Sequence, residues 1–310
     1  MALPRRVIAA FLLLPLAACG GAPRPDPRDK PDVPAISTSR TPMPARLSNN
    51  AVASITLNGR PFFYSFYGLG PEKTRQAISR RAVEYDVLDD KWNELPRVPV
   101  PDGALAAAAV GVRGKIYLFG GYTVAPDGAE RSTPYVFMFD PERRAYTRLP
   151  DMPVPVDDSV ALVHRDRFIY LVSGWHDDAN VDAVQVFDIL EREWFPATHF
   201  PGTPVFGHAG GSVGDRLVIT DGVALRTEGE RHFAAVKQSW LGRVSPDDPS
   251  VIEWERVADH PGPALYRAAG GGLDNHGWVV VAGGTANPYN YAVIGGPGAP
   301  RRPRDDVLVF

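Results

Sequence analysis

Beyond Cys19 the 310-residue chain has no cysteine, which excludes disulfides and thiolate metal ligands from everything that follows it. It has no basic run, and its formal charge is −3 at pH 7, so it lacks the electrostatic footprint of a nucleic-acid binder. Past the first 18 residues no apolar stretch is long enough to span a bilayer. Sustained helical periodicity is missing as well. Short apolar runs are instead broken by glycine, proline and polar turns, a pattern that predicts an all-β chain of short strands.

The runs repeat. Lys115-Ile116-Tyr117-Leu118-Phe119 ends in Gly120-Gly121, a further strand closes on Phe139-Asp140, and Tyr146 precedes Leu149-Pro150-Asp151-Met152-Pro153. The same order recurs from Phe168 through Ser173-Gly174 and Phe187-Asp188 to Trp194. Weaker copies run from Phe62 past Gly68 to Tyr85-Asp86 and Trp92, and from Leu217 through Asp221-Gly222 to Trp254. A last copy runs from Val279 through Gly283-Gly284 to Val307-Leu308-Val309-Phe310.

A period of roughly 50 residues with strand, Gly-Gly, Tyr/Phe-Asp and Trp resembles the kelch motif. That resemblance implies an all-β, kelch-type β-propeller. A single four-stranded sheet is too small to be stable alone, so the repeats must stack radially; a β-sandwich is the alternative, but it has no fixed repeat of this length. The glycine pair is expected to make room for the outer-strand aromatic. Blades are expected over about 48–99, 100–153, 154–201, 202–261 and 262–310. The fifth stops where its Asp and Trp would come, so the intact protein is expected to have six blades and the chain to be truncated at Phe310.

Residues 1–18 read as a secretory signal: Arg5 and Arg6 precede an apolar core and small residues. Leu16-Ala17-Ala18-Cys19 resembles a bacterial lipobox, which implies lipidation of Cys19 and a membrane anchor made by lipid alone. Gly20 after the cysteine resembles the sorting signal for an outer membrane, facing the periplasm. Residues 19–45, rich in Pro, Arg and Asp, read as a tether, and 46–310 as the propeller. Thr41-Pro42-Met43-Pro44 is similar to the tail that closes a repeat.

Aligning the copies places the starts of the innermost strands at one channel mouth: Asn49 and Asn50, Gly103 and Ala104, Asp157 and Asp158, Phe206 to His208, and Tyr266 and Arg267. The loops after the glycine pairs add Trp175, His176, Tyr289 and Tyr291. Aromatic faces beside amides and carboxylates suit carbohydrate, and they equally suit a protein-binding rim. Neither a metal nor a cofactor is expected, because His176, Asp177 and Asp178 are adjacent and cannot all turn to one ion.

Two kelch enzyme families bear on the chemistry. Galactose oxidase uses a tyrosine cross-linked to a cysteine, and no cysteine is left for that here. Phe206-Gly207-His208-Ala209-Gly210-Gly211 through Asp221-Gly222-Val223 and Leu225-Arg226-Thr227 is similar to the later blades of the N-acetylneuraminate mutarotase (epimerase) family. That likeness implies a role for Arg226. The family's glutamate is replaced by Val223, which cannot transfer a proton, and Glu228 and Glu230 are the substitutes on the same loop. The expectation is therefore a carbohydrate-binding propeller, with Arg226 and Arg267 available to an acidic sugar. A mutarotase-like epimerase and an envelope scaffold that holds a partner protein are the alternatives.

Overall fold

Each repeat folds as an antiparallel sheet whose second and third strands are apolar on both faces, because neighbouring sheets cover both. In the computed structural model, which describes residues 40–228, 232–286 and 304–310, the strands of the first blade are Ala51–Leu57, Arg60–Phe66, Ala82–Asp86 and Lys91–Glu94. Blade 2 comprises Ala108–Val112, Lys115–Phe119, Val136–Asp140 and Ala145–Leu149. Blade 3 comprises Val160–His164, Phe168–Val172, Val184–Asp188 and Glu193–Pro196, and blade 4 Ala209–Val213, Arg216–Thr220, Ser239–Val244 and Ile252–Val257. Blade 5 shows three strands among the described residues, Ala269–Leu273, Trp278–Ala282 and Val307–Val309. In every sheet the strands lie in chain order. The first strands of successive blades pack side by side, and the second strands carry much of the core, with Tyr64, Phe66, Phe119 and Tyr170 all at most 1% exposed. The result is an all-β propeller arrangement of five blades.

The glycine pair does a different job from the one its sequence suggests. Both members have positive φ in every blade, including Tyr67-Gly68, Ser173-Gly174 and Asp221-Gly222, where the first is not glycine. A Cβ on Gly120 would lie 2.2 Å from the Val156 carbonyl oxygen and 2.5 Å from Met152 Cε. What presses on the first member is therefore the link into the next blade, whereas a Cβ on the second, Gly121, would lie 2.7 Å from the Leu105 carbonyl oxygen at the entry of its own blade. The second glycine donates its N–H across that seam: Gly68 to Ala104, Gly121 to Val156, Gly174 to Val205 and Gly222 to Leu265. The outer aromatics pack on the third strand instead, Tyr146 on Phe139 at 4.8 Å and Trp194 on Phe187 at 5.0 Å between ring centroids.

Those aromatics also tie each blade to the tail of the one before. Tyr146 Oη donates to the Pro96 carbonyl at 2.8 Å and Trp194 Nε1 to Pro150 at 3.1 Å. Trp92 Nε1 donates in the same way to Thr41 at 2.9 Å. Thr41 thus stands to blade 1 as Pro150 stands to blade 3. The compact unit begins at Thr41, inside the stretch read as tether. The signal and Cys19 lie outside the described residues.

Blade 5 differs in burial. Its first strand is exposed throughout, as are Leu273, Trp278, Val307 and Val309. Val52 and Phe63 of blade 1 are likewise exposed.

Candidate functional site

Every first strand is preceded by a residue in the left-handed region: Asn49, Ala106, Asp158, Gly207 and Arg267, with φ between 49° and 60°. This conformation turns each N–H toward the preceding blade. Ala106 donates to the Asn49 carbonyl, Asp158 to Ala106, Gly207 to Asp158 and Arg267 to Gly207, at 2.7–2.9 Å. A belt of backbone hydrogen bonds therefore runs round the mouth of the channel. Non-glycine members adopt this conformation at a local cost of about 1 kcal/mol each, which the belt offsets. In blade 2 the belt member is Ala106. Gly103 and Ala104 stand short of it, and a Cβ on Gly103 would lie 2.4 Å from the Ser79 carbonyl oxygen.

Between Arg267 and Asn49 the tie is made by a side chain. The Arg267 guanidinium is bidentate to Asp158, with Nε 3.0 Å from Oδ1 and Nη2 2.5 Å from Oδ2, and its Nη1 donates to Asn49 Oδ1. It also lies over the Tyr266 ring, 4.9 Å from the centroid. One side chain thus joins blades 5, 3 and 1, and its charge is already compensated by Asp158.

Below it lies a cavity of about 550 Å³, walled by small first-strand residues and by Asn49, Asn50, Asp158, His208 and Arg267. Asn50 donates to Ser65 Oγ at 2.8 Å. His208 is buried, and burial outweighs the nearby Val172 backbone to pull its pKa down to about 4, so the ring is neutral at pH 7.

Asp157 does not line this cavity. It is buried, and Ser132 Oγ donates to its Oδ2 at 2.7 Å. Burial, reinforced by the adjacent Asp158 charge, raises its pKa well above the ordinary carboxylate value. Burial and Asp158 raise Glu130 in the same sense. Ser132 also bonds Asp177 in both directions at 3.0 Å. Ser132 and Glu130 belong to a hairpin, Tyr122–Val124 with Glu130–Ser132, that sequence reasoning passes over as a connection.

Trp175 packs edge-on against Phe206 and Phe233, each at 5.5 Å, and Phe206 against Tyr266 at 5.9 Å. These rings form one wall beside the mouth, with Trp175 Nε1 donating to the Asp177 carbonyl. His176 Nδ1 sits 2.7 Å from the Pro155 carbonyl oxygen. Arg226 ends the strand Val223–Arg226, exposed, and Glu228 is exposed beyond it; neither lines the cavity. Val223 is fully buried. Glu230, Tyr289 and Tyr291 lie outside the described residues. Among the described residues no group of three or more His, Cys, Asp or Glu could hold a metal ion.

Residues 105–153 match the Kelch motif. The fold is a kelch β-propeller. The chain is similar to chicken Kelch-like protein 15, 29% identical over 163 residues, which cover 49% of this chain and 32% of that protein. It is 27% identical over 253 residues to Kelch-like protein terF of Aspergillus terreus, covering 80% of this chain and 51% of that one. The chain thus spans about a third to a half of the length of these curated relatives. The solved structure of YjhT superposes with a TM-score of 0.61 at 18% identity, over 79% of this chain and 73% of that one, a likeness of fold.

Proposed function

We propose that this kelch propeller is exported, anchored to an outer membrane by lipid on Cys19, and binds a small carbohydrate-like ligand at the channel mouth. The observation that carries the binding reading is the cavity of about 550 Å³ walled by Asn49, Asn50, Asp158 and Arg267. Its size falls within the range of small-ligand sites, and amides, a carboxylate and a guanidinium around small walls suit hydroxyl groups. Because Asp158 already neutralises Arg267, a neutral polyhydroxylated ligand fits better than an acidic sugar. The anchor rests on Leu16-Ala17-Ala18-Cys19, and Cys19→Ser is expected to move the protein from the membrane to the soluble fraction.

A glycan-binding screen followed by NMR titration tests the ligand. Saturable binding of a neutral sugar, weakened by Asn50→Ala, is the expected result. No binder in the screen, together with co-purification of one envelope protein, would instead support the scaffold reading.

A mutarotase-like epimerase is the second reading, favoured by Asp157. Burial raises its pKa well above the ordinary carboxylate value, the direction a general acid requires, and it adjoins Asp158 of the cavity wall; Val223 has no such group, and Glu228 is exposed. Anomer exchange of galactose or sialic acid followed by NMR decides it: a rate equal to the uncatalysed one removes this reading.

A further inference from the structure

A second hollow, away from the channel, lies where blade 1 meets the link into blade 2. It measures about 330 Å³, and its lining includes Arg75, Arg80 and Arg97 together with Asp102, Gly103 and Thr123. Arg75 belongs to the short turn Arg75–Ala77, Arg80 precedes the third strand of blade 1, and Arg97 follows its outer strand. Three arginines from separate parts of the blade thus line one space.

Their charge is answered only in part by the protein. Arg75 spends Nε on the Val124 carbonyl at 2.7 Å and stands 3.6 Å from Asp102. Arg80 donates Nη1 to the Val100 carbonyl at 2.9 Å. Arg97 is exposed, and its charge bears on Glu94, a carboxylate that Arg81 already engages. Several arginines elsewhere are more closely matched, as in Arg60 with Asp86, Arg167 with Asp188 and Arg267 with Asp158.

An independent observation points the same way. Thr123 Oγ1 is buried without any hydrogen-bond partner, although a buried hydroxyl ordinarily has one. Thr123 lines this hollow and also an adjoining one of about 250 Å³, which is bounded by Tyr67, Ser132 and Tyr135. The unpaired hydroxyl therefore belongs to a residue in the wall between an arginine-lined hollow and a partly aromatic extension.

We propose that this hollow binds the phosphoryl group of a small organic phosphate, with its body in the extension. Guanidinium forks match the paired oxygens of a phosphate and remain charged at every accessible pH. Asp102 sits beside Arg75 and sets its position, leaving Arg80 and Arg97 for the anion.

Calorimetric titration with inorganic phosphate tests this. Saturable binding is expected, with Arg97→Gln weakening it about ten-fold and Thr123→Val weakening it measurably, since charge-assisted hydrogen bonds are at stake. Arg97 is exposed and Glu94 beside it is already engaged by Arg81, so its variant is expected to keep the wild-type Tm; if it does not, the titration of Thr123→Val decides instead. Acetate, singly charged, is expected to bind more weakly. Absence of saturable phosphate binding, or an equal loss in the exposed control Arg216→Gln, overturns the proposal. Co-sedimentation with phosphatidic acid vesicles that depends on Arg97, with no binding of free phosphate, would replace the soluble ester by a lipid headgroup and overturn the assignment as stated.

Discussion

His260 Nε2 lies 2.6 Å from Asp221 Oδ2, with both side chains buried, at the seam between blades 4 and 5. In the seam between blades 2 and 3 the same two repeat positions hold Met152 and Gly120, with Met152 Cε pressed against the glycine. An apolar side chain over a glycine has thus been exchanged, as a unit, for an imidazole over a carboxylate. Asp221 Oδ2 also accepts the Leu265 N–H at 2.7 Å, so the pair fastens the start of blade 5.

Removing one member leaves the other buried and unpaired. His260→Met is expected to cost about 3–5 kcal/mol, and Asp221→Gly in the same chain is expected to return most of it. Urea denaturation of the two single variants and the double variant measures the coupling; strictly additive effects would mean that the pair does not act as a unit.

Gly211 and Gly271 occupy the same position in consecutive blades, yet their surroundings differ. A Cβ on Gly211 would lie 2.7 Å from Val279 Cγ1 and 2.9 Å from the Gly271 backbone, whereas one on Gly271 meets nothing within 4 Å. Neither needs a positive φ. Gly211→Ala is therefore expected to destabilise by about 1–3 kcal/mol through overpacking. Gly271→Ala is expected to be neutral or to stabilise by up to about 1 kcal/mol. Thermal denaturation compares them, and a large loss in Gly271→Ala would reveal a covering element over the exposed face of blade 5.

How far such features are legible in the sequence depends on whether residue type or backbone carries them. Gly120-Gly121 and Phe139-Asp140 are readable because glycine and aspartate are the residue types that the seam and the turn require. Tyr67, Ser173 and Asp221 blur the pair, since the structure asks only for a positive φ there, which the surrounding packing imposes on side chains that rarely adopt it. Aligning the repeats misplaces the belt in blade 2 for the same reason: Asn49, Ala106, Asp158, Gly207 and Arg267 share a backbone conformation and no chemistry. Arg267 and Asp158 are 109 residues apart, and no local pattern announces their pairing. Nor does spacing bring Arg97 to Arg75; the link through Pro101 and Gly103 does.

Asp188 ends its strand because its carboxylate does three jobs. It takes a bidentate guanidinium from Arg167 and accepts the N–H groups of Leu190 and Glu191 in the following turn. Burial alone would raise its pKa, but these donors outweigh burial and hold it below the ordinary value. A depressed folded-state pKa stabilises above the unfolded value of about 3.9 and loses that contribution as pH falls through the folded value. Asp188→Asn is therefore expected to cost about 1–2 kcal/mol at pH 7, kept low because Arg167 is partly solvated. The difference from wild type should shrink as pH falls below about 4. A gap that stays constant across a pH series of urea melts would rule this account out.

Arg267 supplies the sharpest test of the mouth itself. Its guanidinium bridges blade 5 to Asp158 in blade 3 and to Asn49 in blade 1, and without it Asp158 stands uncompensated beside Asp157 and Glu130. Arg267→Gln is expected to destabilise by about 1–3 kcal/mol at pH 7, less than for a fully buried pair because the arginine side chain is 28% exposed. Asp158→Asn added to it should recover part of the loss by removing the stranded charge. Adding salt should change little, since Asp158 is only 10% exposed and screening acts weakly on buried partners. If Arg267→Gln proves no more costly than the surface variant Arg216→Gln, the three blades are held at the mouth by the backbone belt alone.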